Sequence, residues 1–185
     1  MENKKTKLLF GMVAFVALLI VAVFVYNHFV DSEGSSENLV SIGEEDNPIV
    51  ATDFVMTNEQ NEEVQLSGFF GKPIVLNFWA TWCPSCVAES PYFEKLYQEM
   101  GDEVHFIKVN LLDGQRETRA RVDDYMINND YHFPVYFDIT GEGAANYGVR
   151  SIPFSIFIDA NGYVVGAAQG TLDEAGLRQG IRMAQ

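Results

Sequence analysis

Lys72-Pro73-Ile74-Val75-Leu76-Asn77-Phe78-Trp79-Ala80-Thr81-Trp82-Cys83-Pro84-Ser85-Cys86 is the stretch on which the reading of this chain turns. Ile74 to Trp79 is apolar except for Asn77. It lacks the polar alternation of a half-exposed strand, which marks a central strand buried on both faces. Pro84 to about Met100 then reads as a helix, with Pro84 at the first position, where a missing N–H leaves nothing unpaired. Cys83 and Cys86 are the only cysteines in the chain. Three residues apart at the start of a helix, their Cα atoms fall about 5–6 Å from each other, within disulfide range. Cys83 sits at the helix N-terminus, where unpaired N–H groups and the dipole favour a thiolate. The spacing predicts that Cys83 is an exposed nucleophile and Cys86 a partly buried resolving thiol, reacting through a mixed disulfide.

Downstream, strand and helix patterns alternate. Val104 to Leu111 reads as a strand. Arg116 to Asn128 reads as a polar helix with Val122, Tyr125 and Met126 at helical spacing; its Arg116, Arg119 and Arg121 are diluted by Glu117, Asp123 and Asp124. Phe133 to Ile139 is a third strand. Pro153 to Asp159 and Tyr163 to Ala167 form a hairpin about Ala160-Asn161-Gly162, whose Asn-Gly pair supplies positive φ angles. Leu172 to Met183 closes the chain as a helix, with Thr171 as N-cap and Asp173 and Glu174 in the first turn. Upstream, Ala51 to Leu66 reads as an extra hairpin about Thr57-Asn58-Glu59. Together these elements predict an α/β fold, a central mixed sheet with helices on both faces.

The chain has 185 residues and a formal net charge of −14, which excludes nucleic acid as a partner because phosphate binding needs a basic surface. The charge is uneven. Residues 1–7 carry three lysines against one acid, residues 8–30 carry no charged side chain, and from residue 31 onward nine bases stand against 25 acids. Leu8 to Tyr26 is apolar, and Phe29 and Val30 can extend it to the roughly 30 Å of a hydrocarbon core. The basic flank puts residues 1–7 in the cytoplasm, residues 8–30 across the membrane and the remainder outside. A cleaved signal peptide fits less well, for no A-x-A-like site follows, and no cysteine follows to carry a lipid. Residues 31–48, with six acids and no base, read as a flexible stalk, leaving residues 49–185 as one domain.

The cysteine pair has other readings. Zinc would need two more ligands, and His28, His105 and His132 lack ligand spacing. A c-type haem site needs His after the second cysteine, where Val87 stands. A purely structural disulfide across so small a loop would stabilise little.

From about Asn47 onward the chain resembles the thioredoxin fold, and within it the membrane-anchored extracytoplasmic ResA/TlpA-like thiol–disulfide oxidoreductases. The resemblance is carried by Asn77-Phe78-Trp79-Ala80-Thr81-Trp82-Cys83-x-x-Cys86. Gly71-Lys72-Pro73, Phe133-Pro134-Val135, Tyr147-Gly148-Val149 ahead of Ile152-Pro153, and Gly170-Thr171 agree with it. It implies that Pro153 is a cis-proline facing the cysteines, although an X–Pro bond is cis in only about 5–6% of cases. It implies further that the Ile152 backbone pairs with an extended substrate segment. Glu89 matches an acid of the ResA-like proteins. One turn past Cys86, it either exchanges protons with the thiols or is a solvated helix acid.

Asn77 stands where thioredoxins carry a buried Asp, and the Pro84-Ser85 dipeptide departs from both thioredoxin and ResA-like proteins. With Pro84 first, as in oxidising DsbA-like enzymes, the direction of electron flow stays open. Trp82 reads as an apolar rim for unfolded substrate, and Trp79 as core. The resemblance thus implies an enzyme whose redox group is the Cys83–Cys86 disulfide, with no other cofactor. Its partners would be protein thiols or disulfides and a membrane redox protein. It would either reduce extracytoplasmic disulfides or insert them into secreted proteins. A peroxidase of the related peroxiredoxin branch lacks its Thr-x-x-Cys arrangement, since Thr81 is two residues before Cys83. A copper-delivery module would need His132 beside the two cysteines.

Overall fold

The structure, a computed structural model, describes residues 11–23, 38–43 and 48–185. Residues 11–23 form a helix, α1. Among the described residues no helix is long and apolar enough to cross a membrane. The tail expected over 1–7 lies outside the described residues, as do both ends of the span expected over 8–30.

In chain order the remaining elements are β1 (Leu39–Ser41), β2 (Ile49–Val50), β3 (Val55–Thr57), β4 (Glu63–Gln65), a 3-10 turn (Leu66–Phe69), β5 (Ile74–Trp79), α2 (Pro84–Met100) and β6 (His105–Asn110). They continue with α3 (Arg119–Asn129), β7 (Val135–Phe137), α4 (Glu142–Asn146), β8 (Phe154–Ile158), β9 (Tyr163–Gln169) and α5 (Glu174–Ala184). One mixed sheet runs β1-β9-β8-β5-β6-β7-β3-β4, with β2 also on β9. β5 pairs in parallel with β6 and antiparallel with β8, so it lies near the middle of the sheet.

Every residue of β5 is buried, because both of its faces are covered. Val75 and Trp79 enter one core with Phe93 and Leu96 of α2, Val122 of α3, and Leu177 and Ile181 of α5. Ile74, Leu76 and Phe78 enter the opposite core with Phe54, Leu66, Ile107 and Ile156. This is the period-2 alternation of a strand, apolar on both sides. Burial of each large side chain contributes about 1.5–3 kcal/mol. The two layers are unequal. The second face carries the short α4, the 3-10 turn and loops that include the one holding Phe54. α5 packs closely enough on β8 that a Cβ at Gly180 would lie 2.2 Å from the Phe157 ring.

Several expectations need correction. The sheet begins earlier than the acidic composition suggests. Leu39–Ser41, in the segment read as stalk, pairs antiparallel with Gly166–Ala168 of β9. The edge of β9 offers unpaired backbone groups, and the Leu39 side chain packs on the core. The N-terminal hairpin is present, but its turn runs from Asn58 to Glu62, closed by the Glu62 N–H on Asn58 Oδ1 at 2.8 Å. In the β8–β9 turn only Gly162 takes positive φ (86°); Asp159 Oδ1 accepts the N–H groups of Asn161 and Tyr163 instead. α5 starts later than Leu172, and its N-cap is Asp173, whose Oδ1 accepts the Gly176 N–H at 2.8 Å.

The corrected cap is testable. Asp173→Ala should lower stability by about 1 kcal/mol, whereas Thr171→Ala should stay within about 0.5 kcal/mol. Urea unfolding midpoints compare the two.

Candidate active site

β5 ends at Trp79, and the chain turns through Ala80–Trp82 into α2. Glu117, on the loop before α3, braces that turn. Its carboxylate is wholly buried and accepts the Thr81 N–H (2.8 Å), the Thr81 hydroxyl (2.7 Å) and an Asn110 amide N–H (2.6 Å). Sequence reading treats Glu117 only as diluting nearby arginines, since nothing local links it to Thr81, 36 residues away.

Cys83 is the N-cap of α2 and Pro84 the first helical residue. A disulfide joins Cys83 to Cys86, with the Cα atoms 5.2 Å apart. Cys83 Sγ accepts the Cys86 N–H at 3.2 Å, one of the donors that a helix N-terminus leaves free. The order of exposure is as expected, but Cys83 is not an exposed residue. It is 4% accessible and Cys86 is wholly buried. Cys83 packs with the core cluster, and the Ile152 carbonyl oxygen lies 3.6 Å from its Sγ. The Ile152–Pro153 bond is cis, as the resemblance implies.

A groove of about 470 Å³ opens beside Cys83, lined by Trp82, Pro84, Ser85 and Ile152 among others. Trp82 is 39% exposed and Trp79 wholly buried, the rim and core positions expected of them. Pro153 is buried rather than in the groove lining.

Glu89 is no solvated helix acid. It is wholly buried, with Asn77 Nδ2 donating to Oε1 at 2.9 Å and the Leu172 N–H to Oε2 at 3.2 Å. Asn77 Nδ2 also donates to Ser155 Oγ at 3.0 Å, so strands β5 and β8 and helix α2 meet at one polar knot. Burial raises the Glu89 pKa, against the opposing pull of Lys108 and the two hydrogen bonds. Lys108 is the residue that sequence reading passes over, although a lone cation inside the apolar run Val104 to Leu111 was a visible signal. It is wholly buried, its Nζ lies 3.9 Å from the Phe93 ring centroid and 5.0 Å from those of Trp79 and Phe133, and it has no hydrogen-bond partner among the described residues. Burial lowers its pKa to about 8, with the Glu89 charge opposing.

His132 does not join the cysteines. Its N–H and ring Nδ1 both engage Glu94 of α2, at 2.7 and 3.0 Å. Among the described residues no three His, Cys, Asp or Glu side chains are grouped to hold a metal.

A cysteine pair joined as a disulfide at a helix N-terminus, set beside a cis-proline on a thioredoxin-like sheet, defines a thiol–disulfide oxidoreductase. The chain belongs to the AhpC/TSA family, whose model matches residues 50–167. It is 34% identical over 90% of its length to the thiol-disulfide oxidoreductase ResA of Bacillus cereus, 90% of which is covered. Among solved structures, the exposed lipoprotein thioredoxin Etrx1 of Streptococcus pneumoniae is 30% identical, with a TM-score of 0.62 over 71% of this chain and 98% of that one. StoA of Bacillus subtilis is 28% identical, with a TM-score of 0.61 over 72% and 98%.

The buried acid ties stability to pH. The unfolded carboxyl ionises near its ordinary 4.5 and the folded one only at higher pH. Stability is therefore fully present below 4.5 and is lost as pH rises through the raised value. Glu89→Gln should flatten that loss. Lys108→Met, which removes the cation opposing the shift, should deepen it and carry it to higher pH. Urea midpoints measured across the acid-to-neutral range check both signs.

Proposed function

We propose that this protein is an extracytoplasmic, membrane-tethered reductant of disulfides in other proteins. Cys83 is the nucleophile, Cys86 the resolving thiol, and Glu89 the group that exchanges a proton with Cys86. The ResA relatives and the exposed lipoprotein thioredoxin support an envelope location, as does the apolar run Leu8 to Tyr26 behind three lysines.

One observation carries the direction. Cys83 Sγ has one backbone N–H donor, from Cys86, and faces the Ile152 carbonyl oxygen at 3.6 Å. An acceptor beside the sulfur disfavours negative charge there, and hydrogen bonding to the neutral thiol has the same sign. A less stabilised thiolate makes the reduced form less stable, so the pair gives up electrons more readily.

The exchange proceeds in two displacements. The Cys83 thiolate attacks one sulfur of a substrate disulfide, forming a mixed disulfide and expelling the other substrate sulfur as a thiolate. Cys86 then loses its proton to Glu89, and its thiolate attacks Cys83 Sγ. The second substrate thiolate leaves, and Cys83–Cys86 closes. The substrate gains two electrons and the pair loses two, which a membrane redox partner restores. Trp82, Pro84, Ser85 and Ile152 form the walls that hold the substrate segment, and Pro153 fixes the Ile152 backbone against the sulfur.

Two measurements test this. The reduction potential of the full-length protein, equilibrated against dithiothreitol and glutathione buffers, should lie nearer the roughly −270 mV of thioredoxin than the roughly −120 mV of DsbA. A value at the DsbA end would make the protein a disulfide-forming oxidase. Separately, Cys83→Ser should abolish exchange with a disulfide-bonded protein, whereas Cys86→Ser should accumulate a mixed disulfide visible by mass spectrometry. The reverse pattern would exchange the two roles.

A further inference from the structure

The groove beside Cys83 carries a charge opposite to that of the chain. From residue 31 onward acids outnumber bases 25 to nine, yet two of those nine bases border this one groove. Arg150 lines it. Arg116 lies over the Trp82 ring, its guanidinium carbon 3.6 Å from the ring centroid, and Trp82 lines the groove as well. Both arginines are exposed, and neither forms an ion pair among the described residues.

The carboxylates nearest in the chain are already engaged. Asp113 Oδ1 accepts the backbone N–H groups of Gln115, Arg116 and Glu117 at 2.7–2.8 Å. Glu117 is buried on Thr81 and Asn110. By contrast Arg178, also on the surface, is held by Glu99 and Glu174, and Lys95 by Glu174. Stacking on Trp82 orients the Arg116 guanidinium while leaving its in-plane N–H groups free for a carboxylate.

Building on the oxidoreductase reading above, we propose that the groove selects polypeptide segments carrying an acidic residue close to the reactive cysteine. Arg116 and Arg150 are the specificity-determining contacts. The apolar floor holds the backbone and neighbouring side chains, and the N–H groups of the two guanidinium groups donate to the carboxylate. On a surface of net negative charge, two exposed arginines beside the groove lessen the repulsion that an acidic segment meets on its way to the sulfur. Such rim contacts act on encounter rate and are sensitive to salt.

The test uses three peptides with the same intramolecular disulfide and Glu, Gln or Lys beside one cysteine. Each reacts with the reduced full-length protein at low and at high salt, and each rate is normalised to that peptide's own rate with reduced glutathione. The Glu peptide should react about threefold to tenfold faster than the Lys peptide at low salt, the size expected of exposed charge contacts. That ratio should fall towards one at high salt and in the Arg116→Gln/Arg150→Gln double variant. Equal rates for Glu and Lys peptides, or a preference that survives the double substitution, would overturn the charge selection while leaving the oxidoreductase reading intact. If none of the three peptides reacted, the oxidoreductase reading itself would fail and the proposal with it.

Discussion

The architecture depends on burying β5 from both sides. A six-residue strand with no exposed residue cannot shift register or tilt without opening one of two cores. Its end at Trp79 is therefore a fixed point. The short turn that follows, pinned by Glu117 to Thr81, delivers Cys83 to the first N–H groups of α2. The cysteine pair gains its place from packing that lies entirely behind it.

The same burial makes an unpaired polar group inside expensive. Asn77 resolves this by joining Glu89 and Ser155. It sits where thioredoxins hold their buried acid, and here the acid projects from the helix instead, one turn past Cys86. The carboxyl thus reaches the same interior from another element. Lys108 is the less settled partner. Held among three aromatic rings, with no hydrogen-bond partner among the described residues, it is stabilised by their faces and by the Glu89 charge, and it keeps the Glu89 pKa from rising further. Interior charge and interior acid form one coupled system.

Outside that core, the chain's acidity is distributed unevenly. Carboxylates near the cysteines are engaged in bracing turns, whereas the two arginines at the groove form no ion pair among the described residues. At the far edge of the sheet, β1 and β2 cover β9, so an otherwise open edge is paired within the chain. Beside the sulfur lies the Ile152 carbonyl oxygen, 3.6 Å from Cys83 Sγ.

Much of this was legible in the residues. The apolar run Ile74 to Trp79, followed by Cys83-Pro84-Ser85-Cys86, determined the central strand, the helix start and the disulfide, because these depend on contacts within a few residues. The Asn161-Gly162 turn and the order of strands and helices were local in the same sense. The rest needed the tertiary structure. Leu39–Ser41 is a strand only because β9 offers an edge, and Asp173 caps α5 only because the chain leaves Leu172 buried against Glu89. The burial of Glu89, the cage around Lys108 and the bridge from Glu117 to Thr81 join residues from different elements. A side chain's neighbours across such distances set its solvation and its charge, and that solvation is decided by folding rather than by adjacent sequence.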